Sequence, residues 1–160
     1  MGDAVVRAAE PSDAPSVRSV YADAYTENRA LGFPGSAENV SVGEVSDWIR
    51  SDSVWVAEVS GAIVGAVRLR RSDPNYPTLG RLAVVSRMKR NGVGTRLLDA
   101  AESAGRREGC AGIELTVAEK HPYLPRMYAA RGYTVLGPRS PQHSLYNEIV
   151  MRKLFETDEH

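Results

Sequence analysis

The residues best suited to chemistry lie in one stretch: Leu82-Ala83-Val84-Val85-Ser86-Arg87-Met88-Lys89-Arg90-Asn91-Gly92-Val93-Gly94-Thr95-Arg96-Leu97-Leu98. An apolar run reads as a strand, two glycines follow, and a helical pattern begins. The first turn of a helix carries backbone N–H groups with no carbonyl partner, and the helix dipole adds partial positive charge there. Glycines let a bulky anion approach that backbone closely. Lys89, Arg90 and Arg96 bring further cations. A diphosphate is the ligand such a segment suits. Two familiar phosphate motifs do not fit it. A P-loop requires Gly-x-x-x-x-Gly-Lys-Ser/Thr, and Gly92-Val93-Gly94-Thr95 lacks both the lysine and the spacing. A dinucleotide fingerprint requires a third glycine where Leu97 stands. The plain alternative is a structural helix start with solvated cations.

The elements that must position this stretch follow from periodicity. Val5–Ala8 reads as a first strand. Ser12 or Asp13 caps a helix carrying Val17, Val20, Tyr21, Ala24 and Tyr25 at helical spacing. A second helix is expected from about Glu38 to Arg50. Val54–Val59 and Ala62–Arg70 form a hairpin about Ser60-Gly61, and Leu79–Val85 is the strand that enters the glycine segment. A long helix ends near Gly109, and Gly112–Val117 is a further strand with Glu114 and Thr116 on its second face. A short helix spans Pro122–Arg131 with Gly132 closing it, and two final strands are expected at Tyr133–Leu136 and Tyr146–Met151. The order β-α-α-β-β-β-α-β-α-β-β predicts an α+β or α/β chain with a mostly antiparallel sheet.

Composition narrows the classes. One domain over residues 1–160 suits the length, and 42% apolar with 25% charged residues is ordinary for a globular chain. Lys+Arg and Asp+Glu number 20 each, so no global field draws the chain to nucleic acid or an anionic membrane. Cys110 is the sole cysteine, which excludes an intrachain disulfide and a multi-cysteine zinc site; no metal is expected. Met1–Glu10 lacks a signal-peptide pattern, and no window approaches the roughly 18–20 apolar residues of a membrane span. A cytoplasmic protein is the expectation.

The stretch Leu82-Ala83-Val84 followed by Lys89-Arg90-Asn91-Gly92-Val93-Gly94 resembles motif A of the GNAT (Gcn5-related) acetyltransferases, usually written Arg/Gln-x-x-Gly-x-Gly/Ala after a strand. Lys89 departs from the usual Arg or Gln, and Ser86 stands where the family often has proline. A second segment agrees: Val117 is followed eleven residues later by Tyr128 and then Gly132-Tyr133, similar to Leu-Tyr-x-x-x-Gly-Phe. The resemblance covers about Val5 to Leu154.

The resemblance implies a three-layer acyl-CoA N-acyltransferase fold, a central mixed sheet flanked by helices with its two middle strands splayed. Leu79–Val85 and Gly112–Val117 would be those strands. It implies acetyl-CoA as co-substrate, its pantetheine arm on Leu82, Ala83 and Val84 and its pyrophosphate over Lys89 to Thr95. It implies transfer of an acetyl group to a primary amine by direct attack in a ternary complex. Tyr128 matches the family's proton donor to the departing thiolate. Glu114, Glu148 and His143 are candidates for the base. His121 stands where the family often has a cofactor-contacting asparagine, and it would equally order the start of the short helix. A small-molecule amine is the favoured acceptor, and a homodimer through the last strands fits the family habit. The alternatives are a protein N-terminal or lysine acetyltransferase and a non-catalytic acyl-CoA-binding module. Arg68 and Arg70 share a strand face, readable as a solvated edge or as the seat of an anionic group on the acceptor.

Overall fold

A computed structural model describes residues 3–34, 39–89, 91–140 and 145–156. Glu38, Arg90 and His143, named above, lie outside the described residues. The elements are β1 (Val5–Ala8), α1 (Ala14–Ala30), α2 (Val42–Ser51), β2 (Ser53–Val59), β3 (Ala62–Arg70), β4 (Thr78–Val84), α3 (Val93–Arg107), β5 (Gly112–Ala118), α4 (Leu124–Ala130), β6 (Thr134–Pro138) and β7 (Glu148–Leu154). The order is the expected one, with 3-10 turns added before α1 and after β4. This is an α+β chain whose described strand pairings are antiparallel but for one.

The chain forms two compact units, Met1–Arg70 with Leu79–Ser103, and Arg71–Thr78 with Ala104–His160. In the first, β1 pairs with β2 and β2 with β3. Ser60 (φ 51°) and Gly61 (φ 81°) turn the β2–β3 hairpin. A two-residue loop with both φ positive twists as the strands do, so this register is favoured. α1 buries Val17, Val20, Tyr21 and Ala24, one stripe at helical spacing. α2 starts four residues later than expected. Ser41 caps it, its hydroxyl accepting from the Glu44 amide at 3.1 Å.

Gly65 lets α3 lie directly on β3. A Cβ there would sit 3.0 Å from both Leu97 and Val93 and 3.1 Å from the Ala83 carbonyl oxygen. Any larger residue would push away the first turns of α3, which the site needs. Val93, Leu97, Leu98 and Ala101 are buried in consequence.

In the second unit β7 lies between β5 and β6, from Gly112↔Leu154 to Ala118↔Glu148 on one side. The one parallel register is Thr78↔Glu114, the whole of the described pairing of β4 with β5. The approach to it is fixed by Asp73, whose carboxylate accepts from the amides of Asn75 (2.8 Å) and Tyr76 (3.1 Å). Asn75 then accepts from the amide of Ala111, and Pro77 from that of Glu114. α4 and β7 both start two residues later than the sequence suggests.

Candidate functional site

The end of β4 is tied down before the chain turns. Val85 donates its amide to the Val64 carbonyl at 2.9 Å. Ser86 gives both its amide (2.7 Å) and its hydroxyl (3.2 Å) to the Asp23 carboxylate on α1. Met88 is buried, and Lys89 forms an ion pair with Glu27 of α1. Gly92 takes φ +77°, a left-handed conformation that glycine adopts at little cost. α3 begins at the next residue.

The first bond of α3 runs from the Arg96 amide to the Gly92 carbonyl at 3.1 Å. The amides of Val93, Gly94 and Thr95 therefore precede the intrahelical ladder. Gly92 and Thr95 are exposed, and the nearest atom to a Cβ built on Gly94 is 3.9 Å away, on Val84. This turn has the room and the donors to take a phosphate-sized anion. Of the cations read beside it, Lys89 holds Glu27 and the Arg96 guanidinium donates to the Ala4 carbonyl, while Arg90 lies outside the described residues.

Leu82, Ala83, Val84, Lys89 and Asn91 to Thr95 belong to the first unit; Glu114, His121 and Tyr128 belong to the second. Ala83 is buried, while Leu82 and Val84 are half-buried. Asn91 is exposed and reaches back to the Lys89 carbonyl at 3.4 Å.

Tyr128 is 5% exposed on α4, its ring edge-on to Tyr133 at 5.6 Å. His121 is buried, and its Nδ1 accepts from the amides of Tyr123 (3.3 Å) and Leu124 (3.2 Å). It organises the start of α4, one of the two roles considered for it. Nδ1 accepts only while unprotonated. His121→Ala is expected to cost about 1 kcal/mol, as loss of a helix cap does. Amide exchange at Tyr123 and Leu124 would rise first; unchanged protection there would show that the bonds contribute nothing.

Of the candidate bases, Glu114 accepts from both Nε (3.1 Å) and Nη2 (2.6 Å) of Arg152, its partner across β5–β7. Both bonds fall on its Oε2. Glu148 is similarly held by Arg139 at 2.8 Å. Burial pushes the Cys110 thiol up, with nearby Glu108 adding to the effect, so it makes a poor nucleophile.

Sequence reasoning missed a cluster in the first unit. The Arg68 and Arg81 guanidiniums lie 4.6 and 5.4 Å from the centre of the Trp48 ring. Arg81 has φ 53° inside β4, which spacing does not foretell. A surface groove of about 530 Å³ between α1 and the β2–β3 hairpin holds Asp13, Asp23 and Glu58 and none of the site residues expected above. Its acids are already engaged, by Arg7 and Ser86.

The family described as Acetyltransferase (GNAT) family matches residues 15–133. Two curated proteins of Bacillus subtilis (strain 168) resemble most of the chain. S-alkylcysteine N-acetyltransferase is 28% identical over 144 residues, covering 84% of this chain and 81% of that protein. S-(2-succino)cysteine N-acetyltransferase is 30% identical over 139 residues, covering 82% and 84%. Among solved structures, yncA from Salmonella typhimurium with its cofactor acetyl-CoA superposes with a TM-score of 0.78 at 16% identity, covering 99% of this chain and 98% of that one.

Proposed function

The chain belongs to the GNAT acetyltransferase family, and on that premise we propose that it moves the acetyl group of acetyl-CoA to the primary amine of a small molecule, an S-substituted cysteine. The observation that carries this reading is the tied-down strand, left-handed Gly92 and open amides at the start of α3. The acceptor class is supported by the names of the two curated relatives, each matched over more than four-fifths of its length. Residues 1–160 act as one acetyltransferase domain, in the cytoplasm; the single domain is supported by a family match over residues 15–133 that runs through segments of both units.

Acetyl-CoA supplies an acyl group activated as a thioester. The amides of Val93, Gly94 and Thr95 hold the pyrophosphate, and the backbone of Leu82, Ala83 and Val84 holds the pantetheine arm as an added strand. A backbone N–H near Val84 polarises the thioester carbonyl. The acceptor nitrogen forms a bond to the carbonyl carbon, and the carbon–sulfur bond breaks. Tyr128 donates its phenolic proton to the departing sulfur. The proton lost by the amine passes to water; Glu114 and Glu148 each hold an arginine.

The test is calorimetric titration with acetyl-CoA, with ADP and NAD as controls, followed by thiol detection with S-methylcysteine, other amines and peptides. Binding of acetyl-CoA alone and thiol release with the cysteine derivative are expected. Binding without thiol release would make the chain a sensing module. A preference for peptides would make it a protein acetyltransferase. No binding by the folded protein would overturn the reading altogether.

A further inference from the structure

The helix that carries Tyr128 is too short to stand alone. α4 has seven residues, Leu124–Ala130, about two turns. Isolated helices of that length are marginal in water, so caps and packing must hold it. The amides of its first turn have no carbonyl partner inside the helix. Pro125 has no N–H to satisfy, and the Met127 amide reaches the Tyr123 carbonyl at 3.0 Å. Tyr123 stands at the N-cap but supplies no side-chain cap bond. The acceptor comes from two residues earlier: Nδ1 of His121 takes the amides of both Tyr123 (3.3 Å) and Leu124 (3.2 Å).

The imidazole is itself anchored. It is buried, and the Tyr123 ring stands edge-on to it with 4.5 Å between centres. The His121 amide donates to the Ala118 carbonyl at the end of β5, at 3.2 Å. A neutral imidazole accepts at one nitrogen and carries its proton on the other, so acceptance at Nδ1 places the proton on Nε2. From this cap to Tyr128 is one helical turn. Leu124 and Tyr128 are four residues apart and lie on the same face of α4. The far end of the helix is fixed at Tyr128 itself, whose carbonyl accepts from the amides of Arg131 (3.0 Å) and Tyr133 (3.1 Å). Tyr128 is therefore held between two sets of bonds, and the one on the N-terminal side depends on a single nitrogen.

We propose that His121 is a positioning residue for acetyl transfer: its Nδ1 fixes the first turn of α4 and thereby the place of the Tyr128 hydroxyl. The catalytic meaning of that hydroxyl rests on the transferase reading above. A general acid must sit within hydrogen-bond reach of the atom it protonates, and a displacement of about 1 Å can cost on the order of a hundredfold in rate. Asparagine can replace histidine in this role and glutamine cannot. Asparagine Oδ1 and histidine Nδ1 both lie two bonds from Cβ and both accept; glutamine Oε1 lies one bond further, near the place of Nε2. A contact from Nε2 to the cofactor would give the opposite ranking.

The test is single-turnover acetyl transfer from acetyl-CoA to S-methylcysteine by the full chain carrying His121→Ala, His121→Asn or His121→Gln, run below the lowest melting temperature of the set. His121→Ala and His121→Gln are expected to lower the rate about tenfold, with the Kd for acetyl-CoA within about twofold, and His121→Asn to keep both near the parent. In a Tyr128→Phe background the same substitutions are expected to change nothing further, because a positioning residue acts only through the group it places. Should His121→Ala fail to fold, the Asn and Gln variants carry the comparison. A parental rate in His121→Gln, an equal loss in His121→Asn, or the same loss on top of Tyr128→Phe would overturn the proposal. The transferase reading fails separately. If no amine elicits thiol release, or Tyr128→Phe keeps the parental rate, that reading falls and proton NMR judges His121. Overhauser contacts between the Tyr128 and Tyr133 rings, whose centres lie 5.6 Å apart, are then expected to weaken in His121→Gln and persist in His121→Asn. Contacts unchanged in both variants would remove the positioning role.

Discussion

Tyr128→Phe is expected to lower kcat about a hundredfold while the Kd for acetyl-CoA stays within about twofold. The factor is the low end of what a positioned acid contributes. A phenol and a thiol ordinarily differ by about two pKa units or less, so proton transfer between them is nearly balanced. The substitution removes one oxygen and keeps the ring. Tyr128 is buried and packs edge-on against Tyr133, itself 2% exposed, so phenylalanine preserves the contact that holds α4. Single-turnover acetyl transfer with calorimetry on the same sample separates the two quantities. A tenfold loss of affinity with kcat unchanged would make the residue a packing or binding element and leave the thiolate without a donor.

Gly92→Asp is expected to weaken acetyl-CoA by about tenfold to a hundredfold. A carboxylate placed a few ångströms from a diphosphate costs on the order of 1–3 kcal/mol once solvent screening is allowed for. The fold should survive, because a Cβ at Gly92 meets nothing within 4 Å. Aspartate and asparagine also tolerate a positive φ better than most residues. Gly92→Asn is therefore the control: the same shape and strain without the charge. It is expected to keep affinity within a few-fold. If both variants bind acetyl-CoA as the parent does, the pyrophosphate is not at this turn. If both lose it equally, the backbone conformation and not the charge is what matters.

The local physics of the chain was legible to a good depth. Val5–Ala8 was legible as a short apolar run, and Ala62–Arg70 as the second strand of a hairpin with Val54–Val59 about Ser60-Gly61. Gly132 closes α4 with φ +100° where its position after Arg131 suggested a helix stop. Helix boundaries were less legible. The start expected near Glu38, which lies outside the described residues, falls for α2 at Val42, where Ser41 caps the helix with Glu44 three residues on. The strand phase also broke at Arg81, since no spacing announces a left-handed residue inside β4.

For the candidate site, the sequence singled out the glycine turn from consecutive residues, and the resemblance to the GNAT family singled out Tyr128. Spacing does not show which partners the charges around them find. Lys89 is answered by Glu27 on α1, 62 residues away, and Ser86 by Asp23. Glu114 is answered by Arg152 because the β5–β7 register sets them opposite each other. The Trp48 cluster draws on three elements that share no motif. Helix caps, turns and strand alternation depend on neighbours within a few residues, so composition and spacing determine them. Partners of buried or half-buried charges depend on which faces pack together to leave water. That choice is made only when the whole chain has buried its apolar surface, and tertiary structure alone decides it.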